Sequence, residues 1–185
     1  MTDRFDAATE EESDEALAAR CAAGDRAAFD LLAGRHRRRM YAICRRVTCD
    51  DHDALDALQN ALLLAWQGIG GFRGEAGVGT WLYRVAVNAA IDEVRHRARR
   101  PEPREEVAMA AGRQAVADQV AERLTVDWAM AQLPPQFRAA IVLREYLGLS
   151  YKEIAEVRQI PIDTVKSQIS RGRQALVALL RIDGR

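Results

Sequence analysis

Near the C-terminal end, residues 149–176 read LSYKEIAEVRQIPIDTVKSQISRGRQAL, two helical periods separated by the QIPI break. The second period sets Thr164, Lys166, Ser167, Ser170, Arg171 and Arg173 outward, against a stripe of Val165, Ile169 and Leu176. Short polar groups and cations on one helix face can reach base edges and phosphates in a major groove. The stretch has the grammar of a helix-turn-helix. Ser150 stands as an N-cap with Glu153 three residues on, a capping box. Ile154, Ala155 and Val157 face inward, Ile160 and Ile162 plug the turn, and Asp163 or Pro161 starts the second helix. An ordinary two-helix corner with a solvated face would look similar, so this pattern alone leaves both readings open.

A second set lies in FRGEAGVGTWLYRVAVNAAIDEVRHRARR, residues 72–100. Phe72, Trp81 and Tyr83 interleave with Arg73, Arg84, Arg95, Arg97, Arg99 and Arg100 around a glycine-rich loop. Aromatics beside cations suit exposed bases and a phosphate track in single-stranded DNA. Trp81 and Phe72 would serve equally as core residues. A flexible loop next to a basic helix is harder to explain by packing alone.

These residues need helices to hold them. An acidic, polar tail precedes a helix from Asp14 to Ala23 that stops at Gly24. Asp25 then caps a second helix in which Phe29, Leu32, His36, Met40, Ile43 and Val47 recur at three or four residues. CDDHD reads as a loop, with Asp53 or a neighbouring acid capping ALDALQNALLLAWQGI, a helix apolar enough to be buried on most sides. The glycines of 70–80 oppose helix formation. The next helix runs to the cationic end that the helix dipole favours, and Pro101 and Pro103 stop it. Residues 101–122 shift to Pro, Glu, Ala, Gly and Gln and read as a linker. Helices over Arg123–Gln132 and PQFRAAIVLREYLGL lead into the helix-turn-helix. No strand alternation emerges, so the fold class is all-α: two small helical domains, 14–100 and 123–185, joined by that linker behind a tail of residues 1–13.

The formal net charge is zero, yet residues 35–46 hold six arginines and no acid, while residues 1–16 hold seven acids against Arg4. Local blocks therefore say more about partners than the whole-chain balance. No apolar run could span a bilayer, and the N-terminus lacks the basic start and apolar stretch of a secretory signal. Cytoplasm is the expected location, without membrane insertion. Cys21, Cys44 and Cys49 form no disulfide framework, and Cys44, Cys49 and His52 lack a fourth metal ligand.

Both constellations resemble one family, the extracytoplasmic-function (group 4) sigma factors of the bacterial sigma-70 family. DALDALQNALLLAWQGIGGFRGEAGVGTWLYRVAVNAAIDEVR is similar to that family's region 2, and LPPQFRAAIVLREYLGLSYKEIAEVRQIPIDTVKSQISRGRQAL to its region 4. The resemblance covers roughly 14–100 and 123–181. It implies a protein that binds core RNA polymerase and directs it to a promoter subset, with no cofactor. By that likeness Asp56, Gln59, Asn60 and Leu63 would dock on the β′ coiled coil, and region 4 on the β flap. Asn60 stands where the family usually has an acid, and Leu64 where it usually has Lys or Arg.

The likeness further implies that Phe72, Arg73, Thr80, Trp81, Arg84, Asn88, Arg95, Arg97 and Arg99 meet the −10 element. There a base is flipped from its stack at a cost of a few kcal/mol, which a pocket returns through stacking and hydrogen bonds. The usual Ser-x-Phe core of that loop is AGVG here. Ser150, Tyr151, Thr164, Lys166, Ser167, Ser170, Arg171 and Arg173 would meet the −35 element. An anti-sigma factor clamping the two domains is a further implied partner.

Three rivals compete. A stand-alone helix-turn-helix regulator would bind its operator as a symmetric dimer and leave the 72–80 loop without a purpose. An enzyme would need a clustered nucleophile and base, a phosphate-binding motif or metal ligands, and the three histidines are scattered. A helical interaction bundle would not need grooved cationic helices.

Overall fold

The computed structural model describes residues 12–74, 77–99 and 126–183, which hold helices and no strand. Most of the expected tail, the expected 101–122 linker and the end of the chain lie outside the described residues. Helix α1 (Asp14–Ala22) starts where Ser13 Oγ accepts from Ala16 N at 3.2 Å. Gly24 takes φ +92°, a turn that costs only glycine nothing, and Asp25 accepts from Ala28 N at 3.1 Å to open α2 (Arg26–Thr48). The acid that caps α3 (Asp51–Gly68) is Asp50, not Asp53. A 3₁₀ turn, Ile69–Gly71, ends α3, and α4 (Val78–Ala98) begins inside the glycine-rich stretch, with Gly77 at its N-cap.

Helices α2, α3 and α4 pack as a bundle crossed by α1, around Leu17, Leu32, Met40, Ile43, Val47, Leu58, Leu82 and Val87. One expectation fails here: α3 is not buried on most sides. Its inward face is chiefly alanine (54, 57, 61, 65) with Leu58, and these small side chains let α4 approach closely. Leu55, Leu63 and Leu64 are 48%, 54% and 43% exposed. Total apolarity overstated burial because three of the five leucines of α3 point outward.

The rear half comprises α5 (126–132), α6 (Pro135–Ile141), α7 (Tyr151–Arg158) and α8 (Ile162–Asp183). Beyond Ile141 the chain widens into a turn closed by Leu147 N to Val142 O at 3.2 Å, five residues back, and Gly148 at φ +70° reverses it. Leu133, Ala139, Leu143, Leu149, Ile154, Val165 and Ile169 form this core. Ile162, expected to plug the turn, is instead among the exposed apolar residues, and Leu176 is only partly buried.

The two halves touch. Arg138 is buried, donating to Thr48 O at 3.4 Å and to Leu133 O at 3.3 Å, and the Arg46 guanidinium lies 4.2 Å from the centre of the Tyr146 ring. Helix α7 lies against α4 through two polar links described below. The Nε atoms of Arg84 and Arg138 are buried without an acceptor. Each such donor costs on the order of 1–3 kcal/mol, so the polar part of this contact is imperfectly satisfied, while apolar residues of both halves belong to one buried cluster. Among the described residues no helix is long and apolar enough to cross a membrane.

Candidate nucleic-acid interface

The rear surface is built on α7 and α8. Ser150 Oγ accepts from Glu153 N at 3.2 Å while Glu153 Oε2 accepts from Ser150 N at 2.8 Å, the reciprocal box expected from sequence. The bond from Ser150 N, with the Ser150 hydroxyl beside the carboxyl, holds Glu153 below its ordinary range. Gln159 adopts the left-handed conformation (φ 50°), and Ile160 N returns to Ala155 O at 3.1 Å, so the turn forms without glycine. Arg158 pins the corner, donating to Gln136 O at 2.9 Å and Gln168 Oε1 at 2.7 Å.

On α8, Val165 and Ile169 are buried, and Gly172 continues their stripe. A Cβ at 172 would sit 3.1 Å from Ile141 Cγ1 and 3.4 Å from Phe137 Cβ. Sequence reasoning missed this glycine, although its spacing of seven from Val165 and three from Ile169 was visible. Gly172→Val is expected to overpack the α6–α8 contact by about 1–3 kcal/mol, lowering the melting temperature and weakening duplex binding together. A melting temperature equal to wild type would show that α6 yields to the added carbons.

Opposite this stripe, Lys166, Ser167, Ser170, Arg171 and Arg173 are exposed and Thr164 is half-buried. Lys166 pairs with Asp163 at 3.0 Å in open solvent, a link too weak to withhold the cation from a phosphate. Arg173 pairs with Glu145, joining α8 to the wide turn after α6. The Ser150 hydroxyl is committed to its cap, and Tyr151 is half-buried with Arg144 5.1 Å from its ring centre. The expected contact residues therefore divide into a largely exposed set on α8, two of its cations lightly paired, and two residues that shape the corner.

On the front half, Trp81, Arg84, Asn88, Arg95 and Arg99 fall within a stripe about 60° wide on α4, at 3.6 residues per turn. Phe72 and Trp81 pack with ring centres 5.7 Å apart and planes tilted by 55°, and Trp81 Cζ2 lies 3.4 Å from where a Cβ on Gly68 would be. Arg73 is exposed at the mouth of the loop and Thr80 half-buried. Arg95, Arg97 and Arg99 are exposed, Arg95 meeting Asp92 at 3.3 Å. Arg84 donates to Glu153 Oε1 at 3.0 Å and Asn88 Nδ2 to Val157 O at 3.3 Å, so in this arrangement α7 covers both.

Arg97 lies on the opposite side of α4 and is not gathered with the rest. It bridges Asp53, which is buried, and Asp50 at 3.3 Å, tying the end of α4 to the start of α3. Tyr83 is not an open stacking platform either: its hydroxyl contacts His36, and the Arg39 guanidinium lies 4.8 Å from its ring centre.

The outer face of α3 presents Leu55, Asp56, Gln59, Asn60, Leu63 and Leu64, all exposed. An apolar strip flanked by polar groups marks a partner surface. Burial pushes the Cys44 thiol up to about 12, and Cys21 is also buried. No cluster of three metal-ligating side chains occurs among the described residues.

Comparisons with known proteins agree with this geometry. Residues 32–100 match the model for sigma-70 region 2, and residues 123–176 that for sigma-70 region 4. The RNA polymerase sigma-H factor of Pseudomonas aeruginosa is 37% identical, over 90% of this chain and 93% of its own. The ECF RNA polymerase sigma factor SigM of Mycobacterium tuberculosis is 40% identical, over 92% and 86%. Among solved structures, CnrH bound to the cytosolic domain of CnrY superposes with a TM-score of 0.64 at 28% identity, covering 92% of this chain and 98% of that one. RpoE of Bartonella quintana, bound to the anti-sigma factor NepR, gives 0.66 at 25% identity, covering 84% and 98%. The chain belongs to the extracytoplasmic-function sigma factors of RNA polymerase. It is a transcription initiation factor of two helical domains.

Proposed function

We propose that α8 reads the −35 duplex, that Phe72, Arg73, Thr80 and the α4 stripe capture the opened −10 strand, and that the outer face of α3 docks on the β′ coiled coil of core polymerase in the cytoplasm. The observation carrying this reading is α8 itself: every expected contact from Lys166 to Arg171 projects outward while Val165, Ile169 and Gly172 anchor the opposite face. Arg97 stands apart as a structural link between α3 and α4. Binding energy alone drives strand opening, because the chemistry belongs to the polymerase.

The packed arrangement is, in this reading, a resting state. Asn88 cannot hold a base while it donates to Val157 O, and Arg84 is occupied by Glu153. Docking on polymerase and promoter separates the halves. An anti-sigma factor would engage both halves, as the anti-sigma factor NepR bound to RpoE suggests for this chain.

Run-off transcription with purified core polymerase on genomic templates tests the whole reading. Defined starts preceded by a shared pair of elements are expected. Transcripts from fragment ends only, with no defined start, would refute it.

A further inference from the structure

Three helices of the front half meet at one side chain, His36. Its Nε2 lies 2.6 Å from Asp14 Oδ2 on α1, and its Nδ1 lies 2.8 Å from the Tyr83 hydroxyl on α4. Facing a carboxylate, Nε2 is assigned the proton, and in the neutral ring Nδ1 then accepts from the phenol. Burial raises the Tyr83 phenol above its ordinary value, so it keeps the proton it donates. A protonated ring would donate at both nitrogens to the same two oxygens, so neither charge state breaks the bridge. Arg35 holds the other Asp14 oxygen at 3.0 Å, and the His36 and Tyr83 rings meet edge-on with centres 5.5 Å apart.

The ring reaches α4 only because residue 79 is glycine. A Cβ there would lie 2.8 Å from His36 Cε1 and 3.3 Å from Nδ1, inside contact distance. Gly79 belongs to the first turn of α4, two residues after the Gly77 N-cap, and Thr80 and Trp81 follow it. The imidazole therefore bears on the turn that carries the loop. Its side chain is nearly enclosed, and its hydrogen-bond partners, Asp14 and Tyr83, are not among the residues proposed to meet DNA or polymerase.

We propose that His36 is a positioning residue for promoter opening: through Asp14 and Tyr83 it sets the height and rotation of the α4 start, and with it Thr80, Trp81 and the Phe72 loop. The inference rests on the −10 role proposed for that loop. A base pocket depends on donors and rings held to a fraction of an ångström, and hydrogen bonds weaken steeply once misaligned.

The test uses the full chain with core polymerase and a promoter carrying 2-aminopurine in its −10 element, whose fluorescence rises when the base unstacks. His36→Ala and Tyr83→Phe should each slow opening about tenfold, with core assembly and closed-complex binding unchanged. Gly79→Ala should slow it similarly by pushing the imidazole aside, yet add nothing in a His36→Ala background, where the obstructing ring is gone. That non-additivity separates positioning from a general loss of stability. Wild-type opening with unaffected His36→Ala and Tyr83→Phe variants overturns the inference alone. So does a parallel loss of assembly, melting temperature and opening in both. A wild-type chain that gives no signal overturns the −10 reading, and this inference with it.

Discussion

With Leu55 and Leu63 both replaced by aspartate, assembly with core polymerase is expected to fall at least a hundredfold, while the helical signal and melting temperature stay at wild-type values. Both side chains are about half exposed, so the fold loses little when they change. On a docked surface the same residues become anchors at the centre of the patch, where a few apolar side chains carry most of the affinity. A hundredfold corresponds to about 2.7 kcal/mol, well within what two buried leucines supply, before the cost of placing carboxylates against the partner. Asp56, Gln59 and Asn60 on the same face are expected to set orientation more than affinity. Pull-down of core polymerase subunits by the tagged chain checks the outcome. Undiminished capture would move polymerase docking off α3.

Ile154→Ala is expected to abolish −35 binding by unfolding the corner rather than by removing a contact. Ile154 is the buried anchor of α7, a helix of only eight residues, and it is fully enclosed. An isolated helix that short is not stable in water, so α7 exists through this anchor and its capping box. Truncating a buried isoleucine costs about 2–5 kcal/mol, whereas a module of about sixty residues holds roughly 3–9 kcal/mol in all. Most of the margin disappears. Duplex binding, melting temperature and amide-exchange protection of α7 and α8 should fall together. Lys166→Ala and Arg171→Ala behave differently: each should lower affinity and reduce the salt slope by about one while stability stays constant. Full protection in Ile154→Ala with duplex binding lost would mean that the side chain acts at the DNA instead.

The contrast between these two substitutions shows where sequence reasoning was strong. Ser150 with Glu153, Asp25 ahead of α2, and the Val165–Ile169 stripe are relations within three or four residues. Caps and helical periodicity are local: the atoms that satisfy one another belong to the same turn, so residue types at fixed spacing suffice. The family likeness extended this reach, since two long segments in the right order point to a sigma factor. The cationic face of α8 was legible for the same local reason.

What sequence could not supply is which residues meet across the chain. Arg97 sits in the same basic run as Arg95 and Arg99, but its partner Asp53 is 44 positions away, and only the α3–α4 packing turns it from a DNA candidate into a structural link. Arg84 and Asn88 find Glu153 and Val157 at a separation of 69, so their covered state depends on how the halves dock. Gly79 looked like one more loop glycine until α2 laid an imidazole against it. Likewise, α3 was expected to be buried on most sides because apolarity names a preference, whereas the alanine-lined approach of α4 decides which face is filled. Short-range order follows from torsions, caps and spacing, and these the residues determine by themselves. Long-range pairing is chosen by the packing of whole helices, and only the tertiary structure shows which charge, ring or glycine each side chain faces.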